Sequence, residues 1–384
     1  MATSKEVEHA MDDMPISTSR TAHFEDSPLR KYFEMAIKHE ATDLHVKPDA
    51  KPKLRIRTEL KSIEAEPFTT EAFEKIIESF LNEAHYAHFQ SHGYIDMAYD
   101  FDERNRFRVN VFRARGKIGL AARRIGDKIL SYEQLMLPPV LAQIAEKKQG
   151  LVLMAGITGS GKSTTIASMI QQVNEQRPCH IITLEDPIEF LFEDAKAIVS
   201  QREIGVDVHS WAEALRSMVR EDPDVVLVGE MRDHDTFEAG LHAAETGHLV
   251  FGTVHASSAP QVFARIYDLF EESERDPIRN MLAFNLNAVI YQQLLATLRD
   301  DVGRVPAVEI LINNTIVSRY ILEGRDGELS EVIRSAPHEG MVDFNTCLVE
   351  LVQKEYIRPQ MAIDASHNPD ELRMLLKGFR TSSG

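Results

Sequence analysis

The chain has 384 residues, with 43 basic and 60 acidic side chains and a formal net charge of −17. At roughly 150 residues per domain this length predicts two domains, and 43% hydrophobic with 27% charged residues is ordinary for a globular chain with a large core. The acidic balance counts against a protein that lives by neutralising phosphate backbones, so no nucleic-acid partner is expected. Two cysteines, Cys179 and Cys347, support neither a disulfide framework nor a zinc site, which suits a reducing cytoplasm. No run approaches the ~18 apolar residues of a membrane helix, and residues 1–20 lack the basic and apolar regions of a signal peptide. No direct membrane insertion is expected, and any membrane association is expected to go through a partner.

In chain order, residues 1–27 read as a flexible acidic tail. Leu29, Phe33, Met35 and Ile37 suggest a helix, Leu54-Arg55-Ile56-Arg57 a short strand, and Thr70 to Leu81 a second helix. Arg106 to Phe112 alternates with period two, and a turn at Gly116-Lys117 leads to Ile118–Ile125, which together predict a hairpin. These elements form a small α+β domain over 28–133. Leu137-Pro138-Pro139 then predicts an interdomain linker at 134–142. A second domain is expected over 143–384, and beyond Gln149 the texture changes. Apolar runs at Leu151–Ala155, His180–Leu184, Val225–Val228 and Leu249–Val254 alternate with helical segments, the signature of a parallel sheet covered on both faces. The remainder, from about Asp276, reads as mostly helical.

Gly156-Ile157-Thr158-Gly159-Ser160-Gly161-Lys162-Ser163 matches G-x-x-x-x-G-K-[ST] between a strand and a helix that opens at Thr164. In that context glycines let backbone N–H groups approach phosphate oxygens at the helix N-terminus. Lys162 reaches the β- and γ-phosphates, and Ser163 offers its hydroxyl to Mg²⁺. Glu185 and Glu230 follow two of the apolar runs and are placed on the same sheet edge as this loop. One acid is expected to hold the Mg²⁺ hydration shell and the other to activate water. His255 ends the next strand, placed to contact a γ-phosphate or catalytic water, whereas His248 lies seven residues earlier and is not expected to share its task. His242, Glu245 and His248 do not have H-E-x-x-H spacing, so no zinc site is expected there.

Four stretches in this order resemble the secretion-superfamily hexameric ATPases, most closely the PilT/PilU type of pilus retraction ATPase. They are Gly156–Thr164, Ile182–Phe190 with its Glu185-Asp186-Pro187, Glu221–Asp233 with Gly229-Glu230, and Gly247–His255. The resemblance implies an α/β protein, with a PAS-like N-terminal domain on a RecA-like ATPase core and a helical C-terminal part. It implies ATP and Mg²⁺ as ligands, a homo-hexamer, and a cytoplasmic site at an inner-membrane pilus platform protein. It also implies that Glu185 is the general base, that Glu230 holds Mg²⁺ through water, and that Arg108 and Arg123 close on the nucleotide. One departure is the C-terminal signature AIRNLIREG, whose aligned stretch here is Ile316-Val317-Ser318-Arg319-Tyr320-Ile321-Leu322-Glu323-Gly324. Ser318 replaces its first arginine. That favours a PilU-like accessory partnered with a sister PilT-type ATPase, or a divergent PilT-like motor, over a standard retraction motor. A DNA translocase is disfavoured by the net charge.

Overall fold

The computed structural model describes residues 27–378 except 57–58, 103–104, 127 and 300–301. The expected acidic tail therefore lies outside the described residues, apart from Ser27. The chain divides into two compact units: 1–128 with 186–192 and 202–214, and the remainder from 129.

The first unit contains α1 (Arg30–Lys38), β1 (Asp43–Val46), β2 (Lys53–Ile56), β3 (Glu59–Ser62), α2 (Thr70–Phe80), α3 (Glu83–His92), β4 (Tyr94–Asp100), β5 (Arg106–Ala114) and β6 (Lys117–Arg124). The six strands form one antiparallel sheet in the order β3-β2-β1-β6-β5-β4. Period-two alternation sends Phe107, Val109 and Val111 inward, where Phe107 meets Phe33 of α1 edge-on at 4.8 Å. The opposite face carries Arg108 and Arg123, directly paired across β5 and β6. The helices begin as their sequences dictate: Thr69 and Asn82 accept from Ala72 N and His85 N, capping α2 and α3.

Segments 186–192 and 202–214 are claimed by the first unit because a buried ion pair and backbone contacts hold them. Arg106 Nη2 lies 3.0 Å from Glu203 Oε2, and Phe190 bridges to Gly126. Burial pushes the Glu203 carboxyl up, and the Arg106 charge opposes that shift.

The second unit continues with α4 (Val140–Ala145), β7 (Gly150–Ala155), α5 (Lys162–Gln176), β8 (His180–Glu185), β9 (Ile198–Glu203, whose last two residues count with the first unit), α6 (Trp211–Met218, whose first four residues do so too), β10 (Val225–Val228), α7 (His234–Glu245), β11 (Leu249–Val254), α8 (Ala259–Tyr267), α9 (Arg275–Asn285), β12 (Leu286–Ala296) and β13 (Arg304–Ile312). It ends in α10 (Thr315–Leu322), α11 (Leu329–Ser335), α12 (Phe344–Gln353), α13 (Pro359–Ala365) and α14 (Pro369–Leu376). Its seven-stranded sheet has the order β13-β12-β7-β11-β10-β8-β9, parallel from β12 to β8 with β13 antiparallel at the edge. Every residue of β7, β10 and β11 is buried, as a sheet covered on both faces requires.

From Asp276 onward the chain is mostly helical, and β12 and β13 extend the sheet by two long strands within that part. Within 134–142, Leu137 and Leu141 are buried, and the two prolines turn the chain directly into α4. Among the described residues no helix is long and apolar enough to cross a membrane.

Candidate active site

The phosphate loop is shaped by close backbone packing. Gly156 has φ +148°, and a Cβ there would overlap the main-chain oxygen of Gln292. Gly161 sits in the left-handed region at φ +87°, where a Cβ would lie 2.7 Å from Gln292 Nε2. Thr158 and Gly159 are exposed at the crest of the loop, while Ser163 and Thr164 are half-buried in the first turn of α5. Gly161 stands at the N-cap of that helix with no side-chain acceptor, leaving the first N–H groups without a capping side chain. Ser160 is buried, and its Oγ has no hydrogen-bond partner. Lys162 folds over the loop, with Nζ 2.8 Å from Gly156 O and 3.1 Å from Ile157 O. A cradle of N–H groups, an unsatisfied hydroxyl and an ammonium with its oxygens close by fit a nucleotide polyphosphate.

The parallel register brings the acids to the same edge. β8 and β10 align Leu184 with Val228, and Gly229 N donates to Leu184 O at 2.8 Å. Glu185 is the last residue of β8 and is buried; Thr183 Oγ1 donates to its Oε1 at 2.7 Å and Gln201 Nε2 at 3.2 Å. Glu230 lies just past β10 and is 39% exposed, with Oε1 3.2 Å from His255 Nε2. Met231 N donates to Thr253 O at 2.9 Å, and Thr253 Oγ1 donates to Gly229 O. These bonds tie the Glu230 turn to β11, whose end carries His255. The two histidines serve separate places: His248 precedes β11, and its Nδ1 lies 2.9 Å from Ala243 O at the end of α7.

Between the loop and the end of β11 lies a cleft of about 310 Å³, lined by Gly156, Ile157, His255, Ala256, Gln261 and Arg265. The Lys162 loop and His255 therefore share one cleft wall, and Glu230 is joined to it through His255. Arg108 and Arg123 belong to the first unit. Arg123 Nε donates to Asp43 Oδ1 at 2.8 Å, and Arg108 Nε lies 3.9 Å from Asp96 Oδ1. Burial works to raise the Asp43 carboxyl, but hydrogen bonds from Arg123 and Thr42 outweigh it and hold that carboxyl below its ordinary range.

Gln201, Gln292 and Arg265 are site-lining or site-holding residues that sequence reasoning did not single out. Each is a polar residue with no spacing signature, and Gln292 lies in a run that reads equally well as helix. The hydroxyl of Ser163 and the carboxylate of Glu230 are hard oxygen donors of the kind Mg²⁺ accepts.

A parallel α/β sheet with a glycine-rich phosphate loop and two acids at one strand edge defines a P-loop ATP hydrolase. The family model described as "Type II/IV secretion system protein" matches residues 128–337. A twitching motility protein of Neisseria gonorrhoeae is 39% identical over 84% of this chain and 86% of its own length. The type IV pilus ATPase PilU of Pseudomonas aeruginosa is 32% identical over 91% of both chains. The crystal structure of the pilus retraction motor PilT with bound ADP superposes with a TM-score of 0.83 at 39% identity, covering 90% of this chain and 98% of that one. The chain belongs to the type II/IV secretion system protein family, in its PilT/PilU branch. Its α/β fold is the expected one of an N-terminal domain followed by a RecA-like core.

Proposed function

We propose that this chain is the ATP-driven motor of type IV pilus retraction, acting as a homo-hexamer on the cytoplasmic side of an inner-membrane platform protein. The supporting observation is a phosphate loop that shares a cleft with His255, with Glu230 joined to His255, in a chain that follows a retraction motor over 98% of that motor's length. Residues 28–133 form its N-terminal domain and the residues beyond the 134–142 segment its ATPase core.

The residues divide the work as follows. Lys162 exchanges the carbonyls of Gly156 and Ile157 for the β- and γ-phosphates of ATP, and the backbone from Gly156 to Thr164 wraps the phosphates. Ser163 and Glu230 hold Mg²⁺, Glu230 through water. When bound, the ion neutralises charge on the phosphate oxygens. Glu185, oriented through Oε1 by Thr183 and Gln201, takes the proton of the attacking water. His255 reports the γ-phosphate to Glu230, to which it is already bonded. Arg108 and Arg123 add positive charge as the subunit ring closes on the nucleotide. Nucleotide then favours one domain arrangement over another, and hydrolysis releases it.

A second reading, an accessory ring subunit beside a sister PilT-type ATPase, has its own observation. At Ser318, where the retraction signature has arginine, the hydroxyl turns inward, 2.8 Å from Ala283 O and 3.0 Å from Asn313 Oδ1. Ser318 thus brings no charge where the signature has its first arginine, and Arg319 stands where the signature has asparagine. The test is a strain lacking this gene, complemented with wild type or Lys162→Ala. The motor reading expects twitching to be lost and restored only by wild type. Twitching that survives the deletion at normal force and stops only when a sister ATPase is also removed would favour the accessory.

A further inference from the structure

β12 lies between β7 and β13, bonded on both sides, and its residues Ile290 and Tyr291 stand opposite Met154 and Ala155. Gln292 comes next, level with the phosphate loop that follows Ala155. It is a polar side chain at 2% exposure, a placement that costs stability unless its amide is fully bonded. The amide bonds are made to the loop. Oε1 accepts from Thr165 Oγ1 at 2.8 Å, and Nε2 donates to Ser160 O at 2.8 Å. The main chain of Gln292 abuts Gly156, and its carboxamide abuts Gly161. One residue on a rigid strand therefore touches the start of the loop, its end, and the first turn of α5.

We propose that Gln292 is a positioning residue for the phosphate loop. A trans peptide points its C=O and N–H in opposite directions. By holding the Ser160 carbonyl toward β12, Gln292 turns the Gly161 N–H away from β12, and its bond to Thr165 fixes the first turn of α5 at the same time. The side chain touches no reacting atom, so its effect falls on nucleotide affinity and leaves the chemical step alone. This rests on the reading of residues 156–164 as the ATP-binding loop.

The test uses the full chain and a fluorescent ATP analogue with Mg²⁺, alongside hydrolysis kinetics. Gln292→Glu keeps an acceptor for Thr165 but sets an acidic oxygen against the Ser160 carbonyl. Its expected effect is a Kd at least about tenfold higher, about 1.4 kcal/mol, with KM rising in parallel and kcat within about threefold of wild type. Thr165→Val, which removes the other bond at nearly constant volume, is expected to raise Kd about threefold. The nucleotide-free melting temperature separates these effects from misfolding, and if Gln292→Glu does not fold, Thr165→Val decides. Wild-type Kd and KM in a folded variant, or a loss confined to kcat, would overturn the proposal. Lys162→Ala guards the underlying reading: if it binds the analogue like wild type, the loop assignment fails instead.

Discussion

At the scale of single residues, the site is organised by what each polar group already touches. Lys162 Nζ rests on two loop carbonyls, which is a position ready to exchange for phosphate oxygens. Lys162→Ala is expected to lower ATP turnover by about 10²–10³-fold or more while the chain stays folded, as steady-state hydrolysis will show. The loop, both acids and His255 were legible in sequence because each follows an apolar run at fixed spacing, and strand ends in a parallel sheet share an edge. Their partners were not legible. Gln201 and Thr183 reach Glu185 through β9 and β8, and nothing in the local sequence of either says which carboxylate it orients.

At the scale of elements, the strands buried on both faces were the hardest to read. Leu286–Ala296 is mostly apolar with Asn287 and Gln292-Gln293 interspersed, and such a run shows neither strand alternation nor helical period. β7, β8, β10 and β11 were easier, since each is short and ends in a motif. Packing between elements explains two glycines, Gly240 and Gly252. A Cβ at Gly240 of α7 would overlap Met231 Cε, and one at Gly252 of β11 would overlap Met231 Sδ. Met231 is the wedge that sets the turn holding Glu230. Gly252→Ala is thus expected to destabilise the second unit by about 1–3 kcal/mol in urea unfolding, because the side chain must be forced aside in a filled core. Shortening the wedge with Met231→Ala in the same chain should recover part of that loss, whereas an additive loss would show that the two sites do not meet.

At the scale of the whole molecule, the chain carries a pH dependence that its composition does not announce. Glu309 on β13 is buried, and burial pushes its carboxyl up to about 7, against the hydrogen bond from Ala259 N, which lowers it. A carboxyl raised in the folded state binds a proton there that the unfolded chain has released. Its contribution is therefore complete below about pH 4.5 and is lost as pH rises to about 7, a difference on the order of 3 kcal/mol. Wild type is expected to lose stability relative to Glu309→Gln across that window, and parallel stability curves for the two proteins would refute the assignment. The same ranking of effects applies to the arginines. Arg123 is largely exposed and bonded to Asp43, so Arg123→Ala should leave the fold intact, let the Asp43 carboxyl rise, and reduce turnover. Wild-type turnover in that variant would return Arg123 to a surface role. The two-body organisation was visible in sequence as a change of texture near residue 140. That 186–192 and 202–214 belong to the first unit was not, since it depends on the Arg106–Glu203 pair, formed between residues 97 positions apart.

Steady-state ATP hydrolysis by the purified protein with Mg²⁺, measured beside Glu185→Gln, tests whether this chain turns over ATP alone with Glu185 as the base. Robust turnover is expected in the wild type, with its loss in a variant that still binds ATP. A folded, ATP-binding wild type with no turnover, or an unimpaired Glu185→Gln, would contradict this expectation.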